Sequence, residues 1–170
     1  MATWQFDIHL VPEAGILRSY GHVPFVLPTD SIDHEGLWRD SSQPVSVSFD
    51  AVLPRVTSWN PESEQWGLED SNRIDVTREA DQIADILVRV DMRKNAVRFV
   101  QAIVQFSDEN HLLMLMENGH LIRPSVNRVL SAIRASPAFR FVVDPVAFFE
   151  ELERSQESSA KEEQWKLLKD

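Results

Sequence analysis

Residues 72 to 92, NRIDVTREADQIADILVRVDM, alternate polar and apolar side chains in two runs separated by the turn signal Glu79-Ala80-Asp81. Strict alternation is the period of a pleated strand, not of a helix. A connection this short joins antiparallel strands, since a parallel crossover needs roughly a dozen residues or more. The stretch therefore commits the chain to an antiparallel sheet. In the second run Ala84, Ile86, Val88, Val90 and Met92 point one way, and Asp85, Leu87, Arg89 and Asp91 the other; in the first, Ile74 and Val76 oppose Arg73, Asp75 and Thr77. One face is apolar and the other charged. Opposite charges across an antiparallel pair contribute about 0.2 to 1 kcal/mol each, so a structural ladder accounts for Arg73, Asp75, Arg89 and Asp91 without any chemistry. The same four are candidates for contact with a charged partner.

The flanking sequence extends this sheet. QWGLE, ahead of the turn signal Asp70-Ser71-Asn72, completes a meander. TWQFDIHLV puts Trp4, Phe6, Ile8 and Leu10 on one side and Gln5, Asp7 and His9 on the other, a half-buried strand ended by Pro12. A short helix is expected from Glu13 to Tyr20, closed by Gly21, and irregular chain from 21 to 44. VSVSFDAVLPRV fits a strand through Val45, Val47 and Phe49, or a helix through Phe49, Val52, Leu53 and Val56; the helix, ending at Pro54, is favoured. NAVRFVQAIVQFSDEN is a helix in which Arg98, Gln101, Gln105 and Asp108 share the polar line, so it should be covered on most sides. Asn118-Gly119 marks a hairpin between HLLMLM and LIRP. Ser125 opens a helix with Val126, Val129, Leu130 and Ile133 at core spacing, and Ser136-Pro137 stops it. FRFVVDP reads as extended, and Asp144-Pro145 as the start of another helix. The expected fold is a single α+β domain over residues 1–152, an antiparallel sheet built of meander plus hairpin with helices packed mainly on one face. Residues 153–170 read as a charged helical extension or frayed tail.

Composition narrows the functional classes. Zero Cys excludes disulfides, thiol nucleophiles and thiolate metal sites, and suits a reducing compartment. A formal charge of −10 disfavours nucleic acid and makes a basic protein the more plausible partner. No apolar run approaches the roughly 20 residues that cross a bilayer, and MATWQFDIHLV lacks signal-peptide features, so no membrane partner and a cytoplasmic location are expected. Oligomeric state stays open. Against the acidic background, Arg123, Arg128, Arg134 and Arg140 fall in a stretch from Asn118 to Val143 without an acid. The first three are candidates for an anion-binding site, with ordinary helix-end and surface charges as the simpler account.

Signals for catalysis are sparse. The five His, at 9, 22, 34, 111 and 120, include no i, i+4 pair, and neither a glycine-rich phosphate loop nor a G-x-S-x-G elbow occurs. No cofactor and no metal are therefore expected. DSIDHE gathers Asp30, Asp33, His34 and Glu35, where turn chemistry is the cheaper explanation. Asp7 and His9 share one side of a strand at a spacing of about 7 Å, usual for solvated neighbours. Trp59 and Trp66 flank the acidic segment NPESEQ, where aromatic rings either anchor a partner or lid the core.

Four stretches, WNPESEQWGLEDSNRIDV, ILVRVDMR, LLMLMENGHLIRP and SPAFRFVVDPVAFFEEL, span about residues 59 to 152. Together they resemble a set of small bacterial cytosolic proteins with W-G-x4-N-R-I-x-V, V-R-[IV]-D and S-x-A-x-x-F-V-x-D-P segments. Such proteins are mostly of unassigned function, and some similar small acidic α+β proteins are immunity proteins of bacterial toxin systems. The resemblance implies a bacterial α+β protein and carries no catalytic residue across.

The leading expectation is thus a non-enzymatic protein-binding module, an immunity-like antagonist of a basic toxin, with Trp59, Trp66, Arg73, Asp75, Arg89 and Asp91 as contact candidates. Its alternative is a small-molecule or anion-binding regulator using Arg123, Arg128 and Arg134. A hydrolase ranks last, because Asp7, His9 and the 30–35 group would have to converge in one cleft.

Overall fold

The first strand of the chain ends up at the centre of the sheet. In the computed structural model, which describes residues 3–28, 32–39, 48–80, 82–151 and 154, β1 (Gln5–Pro12) lies between two later strands. The others are β2 (Arg55–Val56), β3 (Ser63–Trp66), β4 (Arg73–Glu79), β5 (Gln82–Asp91), β6 (Leu112–Met116) and β7 (Leu121–Ile122). They form one seven-stranded sheet in the order β2-β3-β4-β5-β1-β6-β7, every adjacent pair antiparallel. The expected α+β fold with an antiparallel sheet is observed.

The helices are α1 (Glu13–Tyr20), α2 (His34–Trp38), α3 (Val97–Glu109), α4 (Val126–Ala135) and α5 (Pro137–Val143), with helical chain again over 145–151. Because β5 and β6 are both antiparallel to β1, they run parallel to each other, and α3 is the crossover that the parallel arrangement requires. The apolar faces of the strands, with Ile8, Leu10, Ile74, Val76, Ile86, Val88, Val90 and Met114 all at or near zero exposure, meet Val100 and Ile103 of α3 and Val129 and Ile133 of α4. On the opposite face a smaller core, containing Val11, Leu113 and Leu115, is covered by Ile16 of α1 and Leu37 of α2. The larger helices thus share one face, and the two short ones add a thin second layer. Gly15 allows that layer to close: a Cβ there would overlap the Leu37 carbonyl oxygen.

Several local expectations hold. α1 stops at Gly21 with φ 73°, a left-handed residue whose N–H bonds the Leu17 carbonyl oxygen. Gly119, at φ 80°, turns the β6–β7 hairpin. Others change. FRFVVDP is mostly helical, because Ser136 both stops α4 and caps α5, its Oγ accepting from Phe139 N–H at 3.2 Å, with Pro137 at the first helical position. The helix expected over Phe49–Pro54 is a single turn, in which the Phe49 carbonyl oxygen accepts from Val52 and Leu53. Positions 45 and 47 and residues 155–170 lie outside the described residues.

Ile103 is 1% exposed. Replacing it by Ala should cost about 2 to 5 kcal/mol, the range for deleting a buried aliphatic side chain. Denaturant unfolding checks this, and a loss below about 0.5 kcal/mol, typical of a surface change, would place α3 elsewhere.

Candidate functional site

The polar face of β1, β4 and β5 is far drier than its composition suggests. Asp7 is 6% exposed and Gln5 5%, because β1 is flanked by strands on both sides and α2 packs over its neighbourhood. Within this face His9, His34 and Asp85 meet. His9 Nδ1 lies 3.0 and 3.1 Å from the two Asp85 carboxylate oxygens, and His34 Nδ1 lies 3.4 Å from Oδ1. The imidazole rings stand 4.4 Å apart between centroids. Their side chains are between 25% and 30% exposed. Burial works to raise the Asp85 carboxyl, but the imidazoles of His34 and His9 outweigh it and hold it down to about 2.

Three elements bring the trio together. Antiparallel pairing sets His9 against Leu87, one pleat along from Asp85. His34 is the first residue of α2, whose start is fixed by Asp33 accepting from Gly36 N–H at 2.8 Å. Arg18 of α1 also donates toward the carbonyls of Gly36 and Leu37. His9 and His34 come from two sets that sequence reading treated separately, and Asp85 from the wet side of a strand. Each set is weak alone, and the partner strand of β1 could not be chosen from local pattern. Of the DSIDHE group, Glu35 pairs with Arg39 at 2.9 Å, and position 30 lies outside the described residues. Asp7 and His9 form no direct pair: Asp7 faces Arg89 and Glu117 instead.

The charged strand residues form self-contained pairs. Arg73 donates to Asp75 at 2.8 Å along its own strand, and Arg89 reaches Asp7 across strands at 3.6 Å. Arg73 and Arg89 are directly opposite in register, so their like charges stand together only because each has its own carboxylate. The side chains of Arg73 and Asp75 are 12% and 13% exposed, which leaves little for a partner. Asp91 is fully buried and binds Arg93 through side chain and backbone N–H; those bonds overcome burial and keep its carboxyl below the ordinary value. It is therefore a fold anchor and not a contact surface. A cross-strand ladder does exist elsewhere, with Glu64 receiving Arg55 from β2 and Arg78 from β4, each at 2.7 Å.

The two tryptophans separate. Trp66 is 1% exposed, edge-on to Phe49, with its indole N–H donating to Asp50 at 2.7 Å. That burial removes it from any docking surface. Trp59 is 89% exposed. Arg123 is engaged with Glu13 at 2.6 Å, while Arg128 and Arg134 are exposed on α4. Surface hollows form elsewhere, one lined by Glu35, Arg39, Glu79 and Ala84 and a more open one by Arg55, Ser58, Asn60 and Glu64.

Burial raises the Asp7 carboxyl above 3.8, and Arg89 pulls it back. The penalty for holding Asp7 charged applies above its raised folded value and is relieved as pH falls through it. Arg89→Ala should therefore cost about 1 to 3 kcal/mol near neutral pH, more than an exposed pair would. The cost should shrink as pH falls toward 4, read from denaturant unfolding across pH. An equal cost at all pH values would show that Asp7 does not depend on Arg89.

Compared with protein-family models, with curated proteins and with solved structures, the chain matches none, so its chemistry rests on its own atoms.

Proposed function

We propose that the protein is a non-catalytic module that binds a basic protein, in its most specific form an immunity-like antagonist that occludes a toxin. The observation that carries this reading is Trp59, a large indole left 89% exposed on the loop that joins β2 to β3. Exposed aromatic side chains that become desolvated on docking dominate interface energies. Glu62, an exposed acid, lies on the same loop, while Leu68, 65% exposed, and the exposed acids Glu69 and Asp70 lie on the loop that joins β3 to β4. With a net charge of −10 on the chain, these acids steer a cationic partner and act mainly on the association rate. The edge strand β2 is two residues long. So short an edge favours side-chain anchoring over strand addition.

A photo-crosslinking amino acid placed at position 59 in cells should capture one basic protein, with position 128 as the exposed control. Trp59→Ala should leave the melting temperature unchanged and weaken binding of the captured protein by about 30-fold or more, the cost of a central aromatic anchor. Replacing Glu62, Glu69 and Asp70 by Lys should slow association and flatten its salt dependence. Capture equal to that at position 128, or undiminished binding by Trp59→Ala, refutes the reading.

A further inference from the structure

We propose that His9, His34 and Asp85 bind one divalent transition-metal ion of the zinc class. Two of the three donor separations are already close to the spacing such an ion imposes. Two ligands held about 2.0 to 2.1 Å from zinc at a tetrahedral angle stand about 3.3 Å apart; Nδ1 of His9 and of His34 lie 3.0 and 3.4 Å from Asp85 Oδ1. One donor from each residue falls within 4.8 Å of the other two. His34 Nδ1 is a buried atom that reaches Asp85 Oδ1 only at 3.4 Å, at the outer limit of a hydrogen bond. A cation shared by that imidazole nitrogen and the carboxylate oxygen would give both a close partner.

The chemistry of the set selects the ion. Paired imidazoles with one carboxylate suit zinc, nickel, cobalt and copper, whereas magnesium and calcium prefer all-oxygen shells. With side chains still 25% to 30% exposed, the site is reachable from solvent, and water completes the coordination. The ion would join β1, β5 and α2, replacing the proton shared by His9 and Asp85.

The test uses the full-length chain with no affinity tag, stripped with chelator, and titrated with zinc chloride by calorimetry. One zinc per chain is expected, with a rise in melting temperature of roughly 5 °C or more when free zinc exceeds Kd a hundredfold. His9→Ala and His34→Ala should each weaken binding about tenfold or more. Because Asp85 is the most enclosed of the three and its loss threatens folding, the variants that decide are the two His changes, with their folds checked by circular dichroism in chelator. Cobalt should give a visible absorption band that both variants lose. Changing His22, His111 and His120 together to Ala should leave zinc binding intact. Magnesium or calcium in millimolar excess should not displace zinc. Absence of a saturable one-to-one event, persistence of binding in both His variants, or loss of binding in the triple variant overturns the proposal, and displacement by calcium overturns the ion class.

Discussion

The rest of the structure depends on the insertion of β1 between β5 and β6. This strand is paired along both edges, and seven of its eight residues are buried. It forces β5 and β6 to run parallel, and so makes α3 a crossover and not a hairpin connection. The meander and the final hairpin would otherwise be separate antiparallel pieces. β1 also closes the polar face, placing Asp7 beside Arg89 and His9 beside Asp85.

That closure explains how a sheet can bury charged residues on one side without a large penalty. Isolated charges there would be costly, whereas paired ones need only local neutralisation. Arg73 has Asp75, Arg89 has Asp7, and Asp91 has Arg93. The balance is incomplete between Asp7 and Arg89, whose Oδ1 and Nε are both buried without a hydrogen bond. Glu117, whose carboxylate accepts from the Asp7 N–H and whose own carboxyl is pushed up by burial, crowds the same spot. The polar face is thus mostly internal structure.

What was legible in the sequence was what short-range physics decides. The alternation over 72–92 gives β4 and β5, Gly21 ends α1, and Asn118-Gly119 turns the hairpin. Ser136-Pro137 carried a helix start as well as a stop, and reading it only as a stop made α5 look extended. Trp59 and Trp66 flank the same acidic segment, yet one is exposed and the other buried. The difference follows from pairing, because Trp66 stands opposite core Ile74 while Trp59 precedes the first paired residue of β3. Pairing partners were also what the trio needed. His9 and Asp85 are neighbours only because β1 chose β5, and His34 joins them only because α2 packs on that face, choices made by long-range burial that no local window contains.

The two faces of the sheet are held very unequally, and this bears on what a ligand at the trio could change. Among the described residues, 22 buried side chains, Trp38 of α2 among them, make up the core under α3 and α4, against seven in the smaller core on the other face. Hydrophobic stabilisation scales with buried area, so the thin layer opens at a lower free energy than the whole domain, as local openings generally do. The Gly15–Leu37 approach and the Arg18 contacts tie α2 to α1, while His34 and the buried Trp38 tie it to the sheet and the main core. An interaction added at His34 therefore adds to the contacts that already hold α2 on β1 and β5. Coupling of that kind needs no catalytic role. It needs only that the layer be closed when the ligand is bound and freer to open when it is not.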